Sequence, residues 1–88
     1  MNYATSYHDS TVDLTTSEVE VLEINENRKI LMLFNVGPEA ARIMFSAGSD
    51  CYIELPAGQG LNLDKHAPLN PIYAKAATGT ATLNVVEG

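Results

Sequence analysis

The 88-residue sequence predicts an all-β fold: a small antiparallel β-sandwich or jelly-roll-like barrel of about seven short strands, preceded by an extended N-terminal arm. Three observations predict it. Apolar residues recur with period two, or in runs of strand length. Turn chemistry built from Gly, Pro, Asn and Asp returns about every 8–12 residues. No segment carries an apolar stripe of helical period. The best helical candidate, residues 38–43 (PEAARI), has Pro at a suitable first position but is too short to stand alone.

Residues 1–17 are rich in Ser, Thr, Tyr, Asp and Asn, with Val12 and Leu14 their only large aliphatic residues after Met1. Such a stretch buries too little apolar area to offset its ordering entropy, so it reads as an arm. The folded domain is then expected over residues 18–88. Val19 and Val21 alternate with Glu18 and Glu20, giving a strand with one wet face and a shift near Leu22. Asn25-Glu26-Asn27 is turn chemistry. Residues 29–36 (KILMLFNV) form a continuous apolar run, expected to be a central strand buried on both faces, with Phe34 in the core.

Residues 41–46 (ARIMFS) and 51–55 (CYIEL) are the next strands, separated by Ala47-Gly48-Ser49-Asp50. Phe45 reads as core. Pro56-Ala57-Gly58-Gln59-Gly60 is a tight turn, expected to join a hairpin, before Leu61-Asn62-Leu63. A Pro-rich loop, residues 65–71, leads to residues 72–76 (IYAKA) and 80–86 (TATLNVV), expected to pair as a closing hairpin across Ala77-Thr78-Gly79. Ala74, Ala76 and Ala81 are small enough to let two sheets approach closely.

Composition narrows the function. Five Lys and Arg against eleven Asp and Glu give a net charge of −6, a surface that repels phosphate; nucleic acid and anionic membranes are poor partners. No apolar run approaches the roughly 20 residues of a membrane-spanning helix, and the first residues lack the pattern of a secretory signal. A single cysteine, Cys51, allows no internal disulfide. A domain of this size buries about 63% of its unfolded surface and is marginal alone, so added stability is expected from a partner or from self-assembly.

The residues that carry chemistry are sparse. His8 sits beside Asp9 in the arm and His66 lies in the Pro-rich loop, neither with companion ligands at metal-binding spacing. Cys51 has no histidine near it in sequence and reads as a small buried apolar residue. Gly58-Gln59-Gly60 lacks the third glycine, the helix and the Lys-Ser/Thr pair of a phosphate loop. Glu18, Glu20 and Glu23 read as a solvated strand face, which differs from the loop geometry of a calcium site. No enzyme, metal or cofactor is expected. The surface is expected to be the functional part, with Tyr3, Tyr7, Val12 and Leu14 as partner-binding anchors, because interfaces favour aromatic and apolar groups.

The order of segments resembles a group of small virion proteins of tailed bacteriophages. The shared features are an apolar strand ending in Asn-x-Gly (Asn35-Val36-Gly37), a Pro-containing turn (Pro56-Ala57-Gly58-Gln59) and a close of the form I-Y-A-x-A-x-x-G-x-A-x-x-x-V-x-E-G over residues 72–88. The resemblance covers residues 29–88 and leaves out the arm. It implies a capsid decoration (cement) protein that binds the major capsid protein from outside as a homotrimer, located in the virion after assembly in the host cytoplasm. A tail, neck or head-fibre component is the alternative it implies. A small ligand- or glycan-binding β-sandwich is the alternative of another class.

Overall fold

Period-two patterning becomes strand pairing throughout the computed structural model, which describes residues 8–63 and 67–88. Among these residues eight strands form and no helix: β1 (His8–Leu14), β2 (Val19–Leu22), β3 (Leu31–Pro38), β4 (Ala41–Met44), β5 (Ile53–Leu55), β6 (Gly60–Leu63), β7 (Ile72–Ala76) and β8 (Ala81–Glu87). The pairings are nested and antiparallel: β1 with β8, β2 with β7, β3 with β6, β4 with β5. This is the pairing of one long hairpin. Rolling it up also sets β3 against β8 and β4 against β7. Two four-stranded sheets result, ordered β1-β8-β3-β6 (the first sheet) and β2-β7-β4-β5 (the second). The connectivity is that of a jelly roll, a β-sandwich as the sequence predicts.

The core lies between the sheets. Leu14, Leu31, Leu33, Leu83 and Val85 of the first sheet and Ile43, Leu55 and Ile72 of the second are buried there. Ala41, Ala74, Ala76 and Ala81 are buried among them, as their small size suggests. The expected shift in β2 is present, with register slipping between Glu20 and Leu22.

Four expectations are corrected. Residues 8–14 are not part of an arm, because β1 is a full strand of the first sheet and Leu14 is completely buried; this is the extra strand beyond seven. The run in β3 is not buried on both faces. It alternates, with Leu31, Leu33 and Asn35 inward and Met32, Phe34 and Val36 exposed, so Phe34 is not a core residue. Residues 72–76 and 80–86 do not pair with each other: β7 and β8 lie in different sheets, and the turn at Gly79 (φ +58°) carries the chain between them. Pro56–Gln59 likewise crosses from β5 to β6 rather than joining a hairpin. The last two misreadings share a cause: neighbours in sequence were taken as neighbours in a sheet, whereas a jelly roll alternates sheets at nearly every turn.

Two buried polar side chains hold the ends of the sandwich. Asn35, fully buried, accepts the Gly37 N–H at Oδ1 (2.8 Å) and donates from Nδ2 to the carbonyls of Glu39 and Leu55 (2.8 Å each). Its backbone meets the crossing turn, with its N–H donating to the Gln59 carbonyl and its own carbonyl accepting from Gly58 N–H. Arg28, 4% exposed, donates from Nε to Glu87 Oε2 (2.8 Å) and from its two terminal nitrogens to the carbonyls of Pro68, Asn70 and Glu23.

Between Asn35 and Gly37 the register of β3 against β8 slips by one residue, a β-bulge. Gly37 has φ +102°, and a Cβ there would stand 3.1 Å from the Ala57 Cβ. Gly37→Ala is therefore expected to cost about 1–3 kcal/mol, mostly from backbone strain. Denaturant titration checks this, and Ala57→Gly in the same chain should restore only the small part due to crowding.

Candidate interaction surface

The outer faces of the two sheets differ in chemistry. On the second sheet, Arg42 lies opposite Lys75 and Glu54, and Glu20 lies opposite Tyr73. The Arg42 guanidinium sits 4.6 Å above the Tyr52 ring, and its Nε is 3.8 Å from Glu54. Partial burial raises the Tyr73 phenol above its ordinary pKa. The Glu20 carboxylate adds to this through its charge and a hydrogen bond, and the charge of Glu18 adds less. This face is charged, with Arg42 lying between the Tyr52 ring and Glu54.

The outer face of the first sheet is apolar at its centre. Register places Asp9, Val86, Met32 and Asn62 in one row across β1, β8, β3 and β6, and Thr11, Asn84, Phe34 and Gly60 in the next. Met32, Phe34 and Val36 are 37%, 45% and 54% exposed. Gly60 explains how the Phe34 ring lies: a Cβ at Gly60 would stand 3.3 Å from the ring, so the bare backbone of β6 provides its bed. Met32, Phe34, Gly60, Asn62, Asn84 and Val86 line a shallow depression of about 250 Å³. Asn84 separates it from a more polar hollow of about 340 Å³ bordered by Asp9, Ser10 and Thr11. The Thr11 hydroxyl donates to Asn84 Oδ1 (3.1 Å) and the Thr82 hydroxyl to Asp13 Oδ1 (3.3 Å), bracing the acidic margin along β1.

The candidates taken from sequence fall elsewhere. Leu14 is a core residue and Val12 is half-buried against the core, so neither is an exposed anchor. Tyr3 and Tyr7 lie outside the described residues, as do His66 and the side chain of His8. Cys51 is exposed, where the sequence suggested burial; it follows the 45–50 loop, and its N–H bonds to Ser49 Oγ (3.0 Å). Among the described residues no group of three or more His, Cys, Asp or Glu side chains is placed to share a metal ion.

Sequence reasoning missed Met32, Phe34, Val36 and Val86. A signal for them existed: Asn84 and Asn62 sit at alternate positions in the strands flanking β3, which marks one face of this sheet as open to water. The outward position of Phe34 carries a prediction. Phe34→Ser should cost only about 1–2 kcal/mol, because nearly half of the side chain is already in water. Chemical denaturation of the two proteins measures it. In comparison with known proteins, no family model, no curated protein and no solved structure matched the chain.

Proposed function

We propose that the chain is a non-enzymatic structural protein of a bacteriophage virion, a capsid decoration protein that binds the outside of the major capsid shell and stabilises it. The observation that carries the proposal is the apolar strip Met32-Phe34-Val36, held outward on a rigid sheet beside Val86. Exposed apolar patches with a polar rim mark protein-binding surfaces, and Met and Phe are enriched at interface centres. The resemblance of residues 29–88 to small tailed-phage virion proteins supports the same reading.

In this reading the contact surface is the outer face of the first sheet, with Tyr3 and Tyr7 as further anchors. That face measures roughly 19 by 24 Å from strand spacing and rise, or about 450 Å². A stable interface buries about 800 Å² per partner, so one face of one copy is about half of what is needed. Self-association into a homotrimer and simultaneous binding to several shell subunits supply the rest through avidity. By clamping neighbouring subunits, the protein opposes the pressure of packaged DNA.

A quantitative protein count on purified particles, with and without tails, tests the proposal. Several hundred copies retained on tailless heads are expected. A dozen or fewer, lost with the tails, would make the protein a tail or neck component, and absence from particles would end the virion reading.

A further inference from the structure

Three of the four sheet edges are short: β2 has four residues and a bulge, β5 three and β6 four. The fourth is different. β1 runs seven residues in unbroken register against β8, and among the described residues no strand pairs its other side. In an antiparallel pair, alternate residues turn their N–H and C=O toward the neighbour and the rest turn them away, so about half of the main-chain groups of β1 face outward from the sheet.

The side chains decide what such an edge accepts. Asp9, Thr11 and Asp13 share the outer face, all exposed, while Ser10 and Val12 lie on the other side with Val12 half-buried. A second copy pairing antiparallel about Thr11 would set Asp9 opposite Asp13 of that copy, twice over. Like charges directly opposite one another destabilise a pair, so the edge resists its own kind. A strand of opposite charge meets the reverse condition.

We propose that β1 is a docking edge for an extended segment of a partner protein bearing Lys or Arg four residues apart, with an aliphatic residue between them. Antiparallel addition puts the two cations opposite Asp13 and Asp9 and the aliphatic residue opposite Val12, completing the cover of that side chain. Main-chain hydrogen bonds supply affinity and the alternate side chains supply choice of partner. The inference deepens the virion reading: the added strand widens the outer face of the first sheet and supplies contact area that this face alone lacks.

The test uses the full chain, isotope-labelled, and a capped nine-residue peptide containing Lys-Val-Thr-Ser-Lys, with a second peptide carrying Glu at both Lys positions. The lysine peptide is expected to shift and protect the amides of β1 and to bind about tenfold more tightly than the glutamate peptide, with the gap narrowing at high salt. Exchanging both Asp9 and Asp13 for Lys should reverse the preference. If neither peptide binds, if both bind alike, or if the shifts fall outside β1, the proposal is overturned and the aspartates serve only to keep the edge unpaired. Abundant copies on particles with no peptide binding would overturn the docking edge alone. Peptide binding at β1 with no copies on particles would support the edge and end the virion reading.

Discussion

Arg28→Met is expected to be the most destabilising single substitution that adds no bulk. The guanidinium side chain is fully buried, and the Glu87 side chain it pairs with is 16% exposed. Removing one partner of a buried pair strands the other, a loss of about 3–5 kcal/mol. The carbonyls of Glu23, Pro68 and Asn70 lose their donors as well. Total stability for a chain of this length is about 4–13 kcal/mol. At about 4–8 °C per kcal/mol, the midpoint of thermal unfolding should fall by roughly 12–40 °C. Arg28→Lys keeps the charge and loses the fork, so it should fall between. Adding Glu87→Gln to Arg28→Met should recover part of the loss, because a stranded amide costs less than a stranded carboxylate. Thermal scans of the four proteins check the order. A midpoint within a few degrees of wild type for Arg28→Met would contradict the role given to the Arg28 contacts.

The second large effect is Asn35→Asp, and it depends on pH. The Asn35 amide nitrogen faces two carbonyl oxygens at 2.8 Å, from Glu39 and Leu55. A carboxylate in its place meets those oxygens with like partial charge inside the core, whereas a protonated carboxyl can still donate to one of them. Burial and the carbonyls both raise the folded-state pKa of the new group above its unfolded value. Its contribution to stability is then fully present below the ordinary aspartate range and is lost as pH rises toward the raised folded value. Over the three units from about pH 4 to pH 7 the loss relative to wild type approaches about 4 kcal/mol. Asn35→Leu, which strands the Gly37 N–H and both carbonyls, should lose about 3 kcal/mol or more at every pH. Urea titrations at pH 4, 5.5 and 7 separate the two. A flat difference between Asn35→Asp and wild type would show that the side chain is not held as described.

The legible part of the fold was the part written in local pattern. Strand positions follow from period two and from turn residues, and seven of the eight strands lie where the sequence placed them. The bulge in β2 was visible because Leu22 breaks the alternation of Val19 and Val21. Strand partners were not legible. Nothing in IYAKA or TATLNVV states that they enter different sheets, because that depends on closure of the nested hairpin. β1 was hidden by its polarity: an edge strand with one face in water needs only Val12 and Leu14 to hold it, and its neighbour β8 provides the rest. Phe34 was misplaced because a continuous apolar run looks the same whether its second face meets a core or a partner. The strip Met32-Phe34-Val36 was therefore legible as a strand but not as a surface, because its exposure depends on which face the second sheet covers. Asn35 read as an ordinary strand-end residue and Arg28 carried no signal at all, because both act through loops that converge on them only in the folded chain.

The direct test of the central claim is the binding of purified protein to shells from which the protein has been stripped, comparing wild type with Phe34→Ser. Wild type is expected to pellet with shells to saturation at a copy number near that of the shell's own subunits. Phe34→Ser, still fully folded at the assay temperature, is expected to bind at least about tenfold more weakly. Equal binding of both proteins would show that the outer face of the first sheet is not the contact, and failure of wild type to bind would contradict the decoration role itself.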